Sequence, residues 1–209
     1  MNQDILEKAK KYVNNLLMPL EDHYYHQYDH ALEVMQRSIY LGTQEGVSEE
    51  EKELLALAGI FHDTGFIIQY DKNEPFGAKI THNFLKSVLY PNDKIELIES
   101  LILATDPEYK NPKNILEKII KDADLDNLGT QNFFDKGEKL KNEIETIKQI
   151  KIKDPNWHHS SIDLLHAHNY YTKTQQQERG EQKEKNMSIL EDMLNELDRE
   201  EKLSLQKFL

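Results

Sequence analysis

Four side chains that could bind one divalent metal ion occur at three separate places in the chain. His30 lies in the segment HQYDHALEV, His62 and Asp63 are adjacent in IFHDTG, and Asp124 lies in KDADLDNLG. Two imidazoles and two carboxylates form a ligand set that suits Mn²⁺, Fe²⁺, Co²⁺, Ni²⁺ or Zn²⁺, and Mg²⁺ less well. Such a set leaves coordination positions for water or a phosphate oxygen, so these residue types point to metal-assisted hydrolysis.

Each of these residues lies at the end of a segment with helical periodicity. A helix is predicted to begin at Asp29 or His30, and Asn111-Pro112 is predicted to open another that ends in KDADLDNLG. Between them, Ser48 and Glu51 form a capping box that opens a third helix. This third helix is expected to carry His62 and Asp63 in its last turn. Because neighbouring helical residues point about 100° apart, the pair can meet one ion only if the backbone loosens toward Gly65.

The periodicity of the whole chain predicts an all-α protein, an orthogonal helical bundle with additional C-terminal helices. Apolar residues recur at helical spacing in nearly every segment, and no β-hairpin signal occurs. We expect a helical domain over residues 1–175 and a helical extension over 176–209 that packs on this domain or forms a homodimer. The extension carries an apolar stripe of Met187, Leu190, Met193, Leu194, Leu197, Leu203, Leu205 and Phe208. Before it, the charged run KTQQQERGEQKEK is predicted to be a solvated helix or a flexible hinge.

Composition excludes several classes of protein. The 209 residues contain no cysteine, which excludes disulfides, thiolate metal sites and cysteine nucleophiles. A net charge of −12 argues against nucleic acid polymers as partners, because binding a phosphate backbone needs a cationic surface. The longest apolar run, from Leu54 to Phe61, is too short to cross a membrane, and the N-terminal segment lacks the apolar core of a secretory signal. A cytoplasmic location is therefore expected.

The order of the ligand residues resembles that of the HD superfamily of metal-dependent phosphohydrolases, which are all-helical enzymes. The resemblance is carried by YHQYDHALEV, AGIFHDTGF, LILAT and DADLDNLG, together with a later pattern of Trp, Tyr-Tyr-Thr and Arg. Within the superfamily, the chain is similar to a branch of predicted metal-dependent HD phosphohydrolases. The resemblance implies one metal ion bound by His30, His62, Asp63 and Asp124, with Asp63 also orienting the attacking water. It implies hydrolysis of a small phosphorylated molecule, a nucleotide above all.

Two departures from other HD proteins bear on the chemistry that is implied. Glu74, in YDKNEPFGA, stands near a place where many HD enzymes carry a further histidine, and it resembles a carboxylate of the branch. Glu74 is therefore a candidate acid or base, and an acid that favours the helix dipole is an equal alternative. His82 competes for this role, although a surface or packing histidine is favoured. Thr105 replaces another frequent ligand histidine, which argues for one metal ion rather than two.

Several further residues are predicted to lie near the substrate. Lys121 could reach a phosphate as a point charge, and His26 and Tyr28 are expected at the entrance of the site. Asp122 and Asp126 either orient the histidine ligands or cap a helix end, with capping slightly favoured. A helix from about Trp157 to Tyr171 contributes aromatic and histidine side chains, which are expected to pack in a core more than to contact substrate.

Two other functions stay open from the sequence. The departures at Glu74 and Thr105 are compatible with a regulatory HD module that binds a metal or a nucleotide without turnover. Histidine and carboxylate ligands also suit iron, as in the di-iron oxygenases that some HD-fold proteins resemble. The missing histidine at Thr105 counts against the oxygenase, because two metal ions need a fuller ligand set.

Overall fold

The structure is a computed structural model that describes residues 1–206, with the side chains of residues 1–197 and 199. Nine α-helices follow one another in this part of the chain, and no strand occurs in it, which confirms the all-α prediction. The helices are α1 Gln3–Leu17, α2 Tyr28–Gln44, α3 Glu49–Phe61, α4 Glu74–Ser87, α5 Asn92–Leu103, α6 Ile115–Asp124, α7 Phe133–Lys148, α8 Asp154–Ala167 and α9 Lys173–Gln206. No helix among the described residues is both long and apolar enough to span a membrane.

The apolar run from Leu54 to Phe61 forms the centre of the larger of two hydrophobic cores. Every residue of this run is buried, and α3 packs against α1, α2, α5 and α6. A helix that is apolar on all sides must be surrounded by other helices to remove its surface from water. The burial of α3 therefore fixes the positions of its two neighbours α2 and α6, which carry His30 and Asp124.

A smaller core lies under the C-terminal helices. Leu128, Phe133, Leu165, Tyr170 and Leu190 are its buried residues, so Tyr170 packs in a core as expected. The charged run that could have been a hinge is helical and belongs to α9, which packs on α8. Leu203, Leu205 and Phe208 lie outside the described side chains. The division into residues 1–175 and 176–209 stays a prediction, and α9 begins at Lys173.

The helix starts were predicted with mixed success. The Ser48–Glu51 capping box is confirmed, with each side chain bonded to the other residue's backbone amide. Helix α5 begins at Asn92, directly after Pro91. Asn111-Pro112 was wrong as the opening of α6. The side chain of Asn114 accepts a hydrogen bond from the Glu117 amide at 2.9 Å, so the helix begins after Asn114.

A buried carboxylate joins the two cores. Asp122, in α6, is fully buried, and its oxygens accept hydrogen bonds from the Tyr171 amide, the Thr172 amide and the Thr172 hydroxyl at 2.7 to 3.1 Å. These donors lie immediately before α9. Asp122 therefore anchors the start of α9, which matches the capping role more closely than the orientation of a ligand.

Asp122→Ala is expected to lower the free energy of unfolding by about 2–4 kcal/mol, because it leaves buried donors without an acceptor. Urea denaturation of both proteins measures this difference. Glu96→Ala, at an exposed position of α5, is the matched control and should change stability by less than about 0.5 kcal/mol. Equal losses in the two variants would contradict the anchoring role.

Candidate metal centre

Four potential ligand atoms converge at the place where α2, α3 and α6 meet. His62 Nε2 lies 3.0 Å from Asp63 Oδ2 and 3.3 Å from Asp124 Oδ1. His30 Nε2 lies 3.4 Å from the same two carboxylate atoms. Ligands about 2.1 Å from a shared ion are roughly 3.0 Å apart in an octahedron and roughly 3.4 Å apart in a tetrahedron. These four nitrogen–oxygen separations, 3.0 to 3.4 Å, fall within these two values.

Three of these four atoms form no hydrogen bond, although each lies 3.0 to 3.4 Å from another atom of the cluster. His30 Nε2, His62 Nε2 and Asp63 Oδ2 are buried and form no hydrogen bond. A buried polar atom without a partner costs free energy, so three such atoms facing one point require an explanation. A divalent cation satisfies all of them at once. The ligand atoms of His30, His62 and Asp124 all lie within 4.8 Å of one another and form the one such cluster in the part of the chain that the structure describes; Asp63 lies next to it but is not a member.

Local structure holds the two histidines close to each other. An added Cβ at Gly59 would lie 2.9 Å from Met35 Cα, so only glycine lets α2 and α3 approach this closely. His62 Nδ1 donates a hydrogen bond to the Gly59 carbonyl at 2.8 Å. This bond fixes the tautomer and leaves Nε2 free as the ligand atom.

The adjacent pair His62 and Asp63 does not lie in the last turn of α3. This helix ends at Phe61, and residues His62–Ile67 form a 3₁₀ helix, which is tighter than an α-helix rather than looser. Thr64 supports the turn by donating a hydrogen bond from its hydroxyl to the Phe61 carbonyl at 2.7 Å. From this 3₁₀ helix, Asp63 Oδ2 reaches His30 Nε2 and His62 Nε2 reaches Asp124 Oδ1.

The charges of the four side chains stabilise each other. Burial lowers the pKa of His62, but the facing carboxylates of Asp63 and Asp124 outweigh this effect and hold it well above its usual value. For Asp124, burial raises the pKa, but the imidazoles of His62 and His30 outweigh the effect of burial, so the pKa of Asp124 lies well below its usual value. Without a metal ion, the cluster therefore favours a protonated His62 between two ionised carboxylates.

Glu74 is buried at the first turn of α4 and lines the same cavity as Asp63 and Asp124. Its Oε2 forms no hydrogen bond. Burial raises the pKa of Glu74 above its usual value. An added Cβ at Gly65 would lie 2.0 Å from the Asn73 carbonyl oxygen, so glycine is required for α4 to begin this close to the 3₁₀ helix.

Glu143, in α7, was missed by the sequence analysis. Its side chain is fully buried and accepts hydrogen bonds from the Tyr25 amide at 2.8 Å, the His26 amide at 3.0 Å and the Tyr70 hydroxyl at 3.1 Å. It also bonds to His26 Nδ1. Tyr25 and His26 lie at least 117 residues from Glu143 along the chain, and Tyr70 lies 73 residues from it. No local sequence pattern could therefore have revealed these contacts. Glu143 fixes the ring of His26, which lines the cavity.

Of the three predicted substrate-binding residues, His26 and Lys121 line the larger cavity and Tyr28 does not. His26 lies beside the ligands, with its ring centroid 5.9 Å from that of His30. Tyr28 packs against the larger core, and Tyr25 takes the place beside His30 instead, at 4.7 Å between ring centroids. Lys121 lines the cavity, but its ammonium donates to the Ala104 carbonyl at 2.8 Å and the Asp106 carbonyl at 3.1 Å.

The remaining candidates have structural partners. His82 pairs with Glu99 at 2.9 Å. Thr105 donates a hydrogen bond to the Ile102 carbonyl at 2.7 Å, and Asp126 accepts hydrogen bonds from Arg179 and Gln175 at 2.8 Å. Asp126 also pairs with Arg37 of α2 at 2.8 Å. It therefore joins α2 and α9 to the segment that follows α6, and these contacts do not involve the histidine ligands.

Two cavities flank Asp124. The larger one, of about 660 Å³, contains Asp63, Glu74 and Asp124 in its wall and extends between α7, α8 and α9. The smaller one, of about 360 Å³, is lined by His30, Arg37, Asp124 and Lys136 among others. Trp157 contributes to the wall of the larger cavity. A small molecule in the larger cavity would therefore lie directly against the ligand cluster.

Comparison with known proteins gives one match, over the central part of the chain. The family model described as the HD domain matches residues 28–126. This span begins at the first residue of α2 and ends two residues after Asp124, so it contains all four potential ligands and Glu74. A search of curated proteins and a search of solved structures find no significant match.

Proposed function

Because residues 28–126 belong to the HD domain family, we propose that this protein is a metal-dependent phosphohydrolase of small phosphorylated molecules. The observation that carries the proposal is the convergence of four ligand atoms beside a cavity, three of them buried without a partner. Two imidazoles and two carboxylates suit Mn²⁺, Fe²⁺, Co²⁺, Ni²⁺ or Zn²⁺. Nucleotides are the substrates that the family resemblance favours.

The chemistry divides between the ion and the side chains. His30, His62, Asp63 and Asp124 would hold a divalent metal ion, which would supply Lewis acidity toward water and toward a phosphoryl oxygen. Asp63 lines the cavity, so its carboxylate is placed to orient the attacking water as well as to bind the ion. Glu74, in the same wall, is the group proposed to give a proton to the leaving oxygen or take one from water.

Glu74→Gln is expected to lower kcat by about 10²- to 10⁴-fold and to leave metal content unchanged, because the amide keeps the shape but cannot transfer the proton. Steady-state phosphate release and metal analysis measure the two quantities. If Glu74 acts only on the helix dipole, the same variant would lose about 0.3–1 kcal/mol of stability and keep its kcat. That second result would remove Glu74 from the mechanism.

A substrate panel tests the reaction class. Mn²⁺-loaded protein would be incubated with nucleoside mono-, di- and triphosphates, cyclic nucleotides and simple phosphate monoesters. Release of inorganic phosphate, of pyrophosphate or of a nucleoside monophosphate distinguishes monoester, anhydride and diester cleavage. Absence of any product with every metal would favour the regulatory module over the hydrolase.

A further inference from the structure

The wall of the larger cavity is apolar over most of its area. The helices α7, α8 and α9 supply large apolar side chains on several sides, including Phe134, Leu140, Trp157, Leu164, Leu190 and Met193. Two of these side chains stay partly in contact with water, since Leu164 is 46% exposed and Met193 is 38% exposed. Apolar surface that lines a cavity and still meets water is stabilised by an apolar ligand.

The charged side chains of the cavity wall limit how many phosphate groups a ligand in the cavity can carry. Three lysines, Lys110, Lys121 and Lys136, face five carboxylates, which are Asp63, Glu74, Asp124, Asp135 and Glu138. Of the lysines, Lys121 is bonded to backbone carbonyls and Lys136 is paired with Glu33. The lining therefore offers little unpaired positive charge, and a divalent metal ion would add two positive charges at the end of the cavity where Asp63 and Asp124 lie. Phosphate groups are usually bound by charge-assisted hydrogen bonds, so the scarcity of unpaired cations in this wall favours a ligand with one phosphate group over a diphosphate or triphosphate.

We propose that the substrate is a phosphate monoester of an apolar alcohol, with the phosphate at the ligand cluster and the apolar group between α7, α8 and α9. This inference rests on the proposed hydrolase function. Water would attack phosphorus, the bond from phosphorus to the ester oxygen would break, and that oxygen would leave as the alcohol after taking a proton. Inorganic phosphate keeps the oxygen of the water.

A single substitution at Gly137 would place a side chain inside the cavity. It lies in α7, lines the cavity, and an added Cβ there would meet no atom within 4 Å. Gly137→Leu should therefore fill part of the space without a clash, and leucine also favours the helix more than glycine does. Gly180, in α9, is equally free of close neighbours and is not part of this cavity wall, so Gly180→Leu is the matched control.

Binding of non-hydrolysable alkyl phosphonates to Mn²⁺-loaded protein tests the proposal without relying on turnover. Calorimetry with butyl, hexyl and octyl phosphonate should show about fourfold tighter binding for each added methylene that becomes buried, or roughly 200-fold between butyl and octyl. Gly137→Leu should remove most of this gain, and Gly180→Leu should keep it. The chain-length series on the unaltered protein is decisive even if the leucine variant does not fold.

The outcomes separate this inference from the function on which it rests. Equal affinity for butyl and octyl phosphonate would overturn the inference, and so would a higher kcat/KM for nucleoside monophosphates than for octyl phosphate. In either case hydrolysis itself could still be observed. Chain-length-dependent binding without hydrolysis of any phosphate ester would instead overturn the hydrolase and keep the apolar ligand.

Discussion

Asp124→Asn is expected to lose its metal ion and to release phosphate more than about 10³-fold more slowly than the unaltered protein. Asp124 Oδ1 lies within 3.4 Å of both ligand nitrogens, so the substitution removes a negative charge from the centre of the cluster. Loss of a residue that merely supports a ligand costs about 10- to 100-fold in metal affinity or activity, and loss of a ligand should cost more. Asp63→Asn should behave in the same way.

The control for this result is Asp93→Asn, an exposed acid in the first turn of α5. It removes the same charge from the protein and should keep full metal content and full activity. Metal analysis after dialysis and initial rates of phosphate release measure both quantities. An Asp124→Asn variant with one bound metal ion and a rate within a few fold of the unaltered protein would contradict the ligand assignment.

Removing the metal ion is expected to lower the thermal midpoint, and the size of this loss should grow with pH. Without metal, burial lowers the pKa of His62, but Asp63 and Asp124 together outweigh burial and hold this pKa above its unfolded value near 6.5. The resulting stabilisation is fully present below pH 6.5 and is lost as pH rises through the folded pKa. Metal binding requires neutral imidazole, so it strengthens over the same range.

The gap between metal-loaded and metal-free protein should therefore widen from pH 6.5 to pH 8.5. Metal at 100 to 1,000 times its Kd stabilises by about 2.7–4.1 kcal/mol, or roughly 5–15 °C for a chain of this size. Differential scanning fluorimetry at both pH values measures the gap. His62→Gln should abolish the widening, whereas His82→Gln, whose histidine pairs with Glu99, should keep it. A gap that narrows with pH would argue against His62 as a ligand.

Much of the fold was predictable from local patterns. Helical periodicity predicted the all-α class, and the Ser48–Glu51 box located the start of α3, because both signals lie within a few neighbouring residues. That His30, His62 and Asp124 lie close together could be proposed only from the order of these residues in the sequence, which resembles the HD superfamily. Their contacts depend on how three helices pack, and local sequence patterns do not encode this packing. The narrower branch of the superfamily stays a prediction.

Features that depend on distant packing were missed. Glu143 acts on His26 from another part of the chain, and the sequence of α7 gives no sign that this one acid is buried. Lys121 has the residue type of a phosphate ligand, but two carbonyls of the loop after α5 occupy its ammonium. The cavity between α7, α8 and α9 likewise follows from tertiary packing, and the apolar residues of its wall resemble ordinary core residues in the sequence.

The most direct test of the central claim is phosphate release by metal-stripped protein as Mn²⁺ or Co²⁺ is added back in measured amounts. Stripped protein should be inactive, and activity should rise with added metal and level off near one ion per chain. Activity that persists in the stripped protein would contradict a metal-dependent mechanism. Absence of release at every metal concentration, across nucleotides and alkyl phosphates alike, would contradict the hydrolase and leave the cluster as part of a regulatory module.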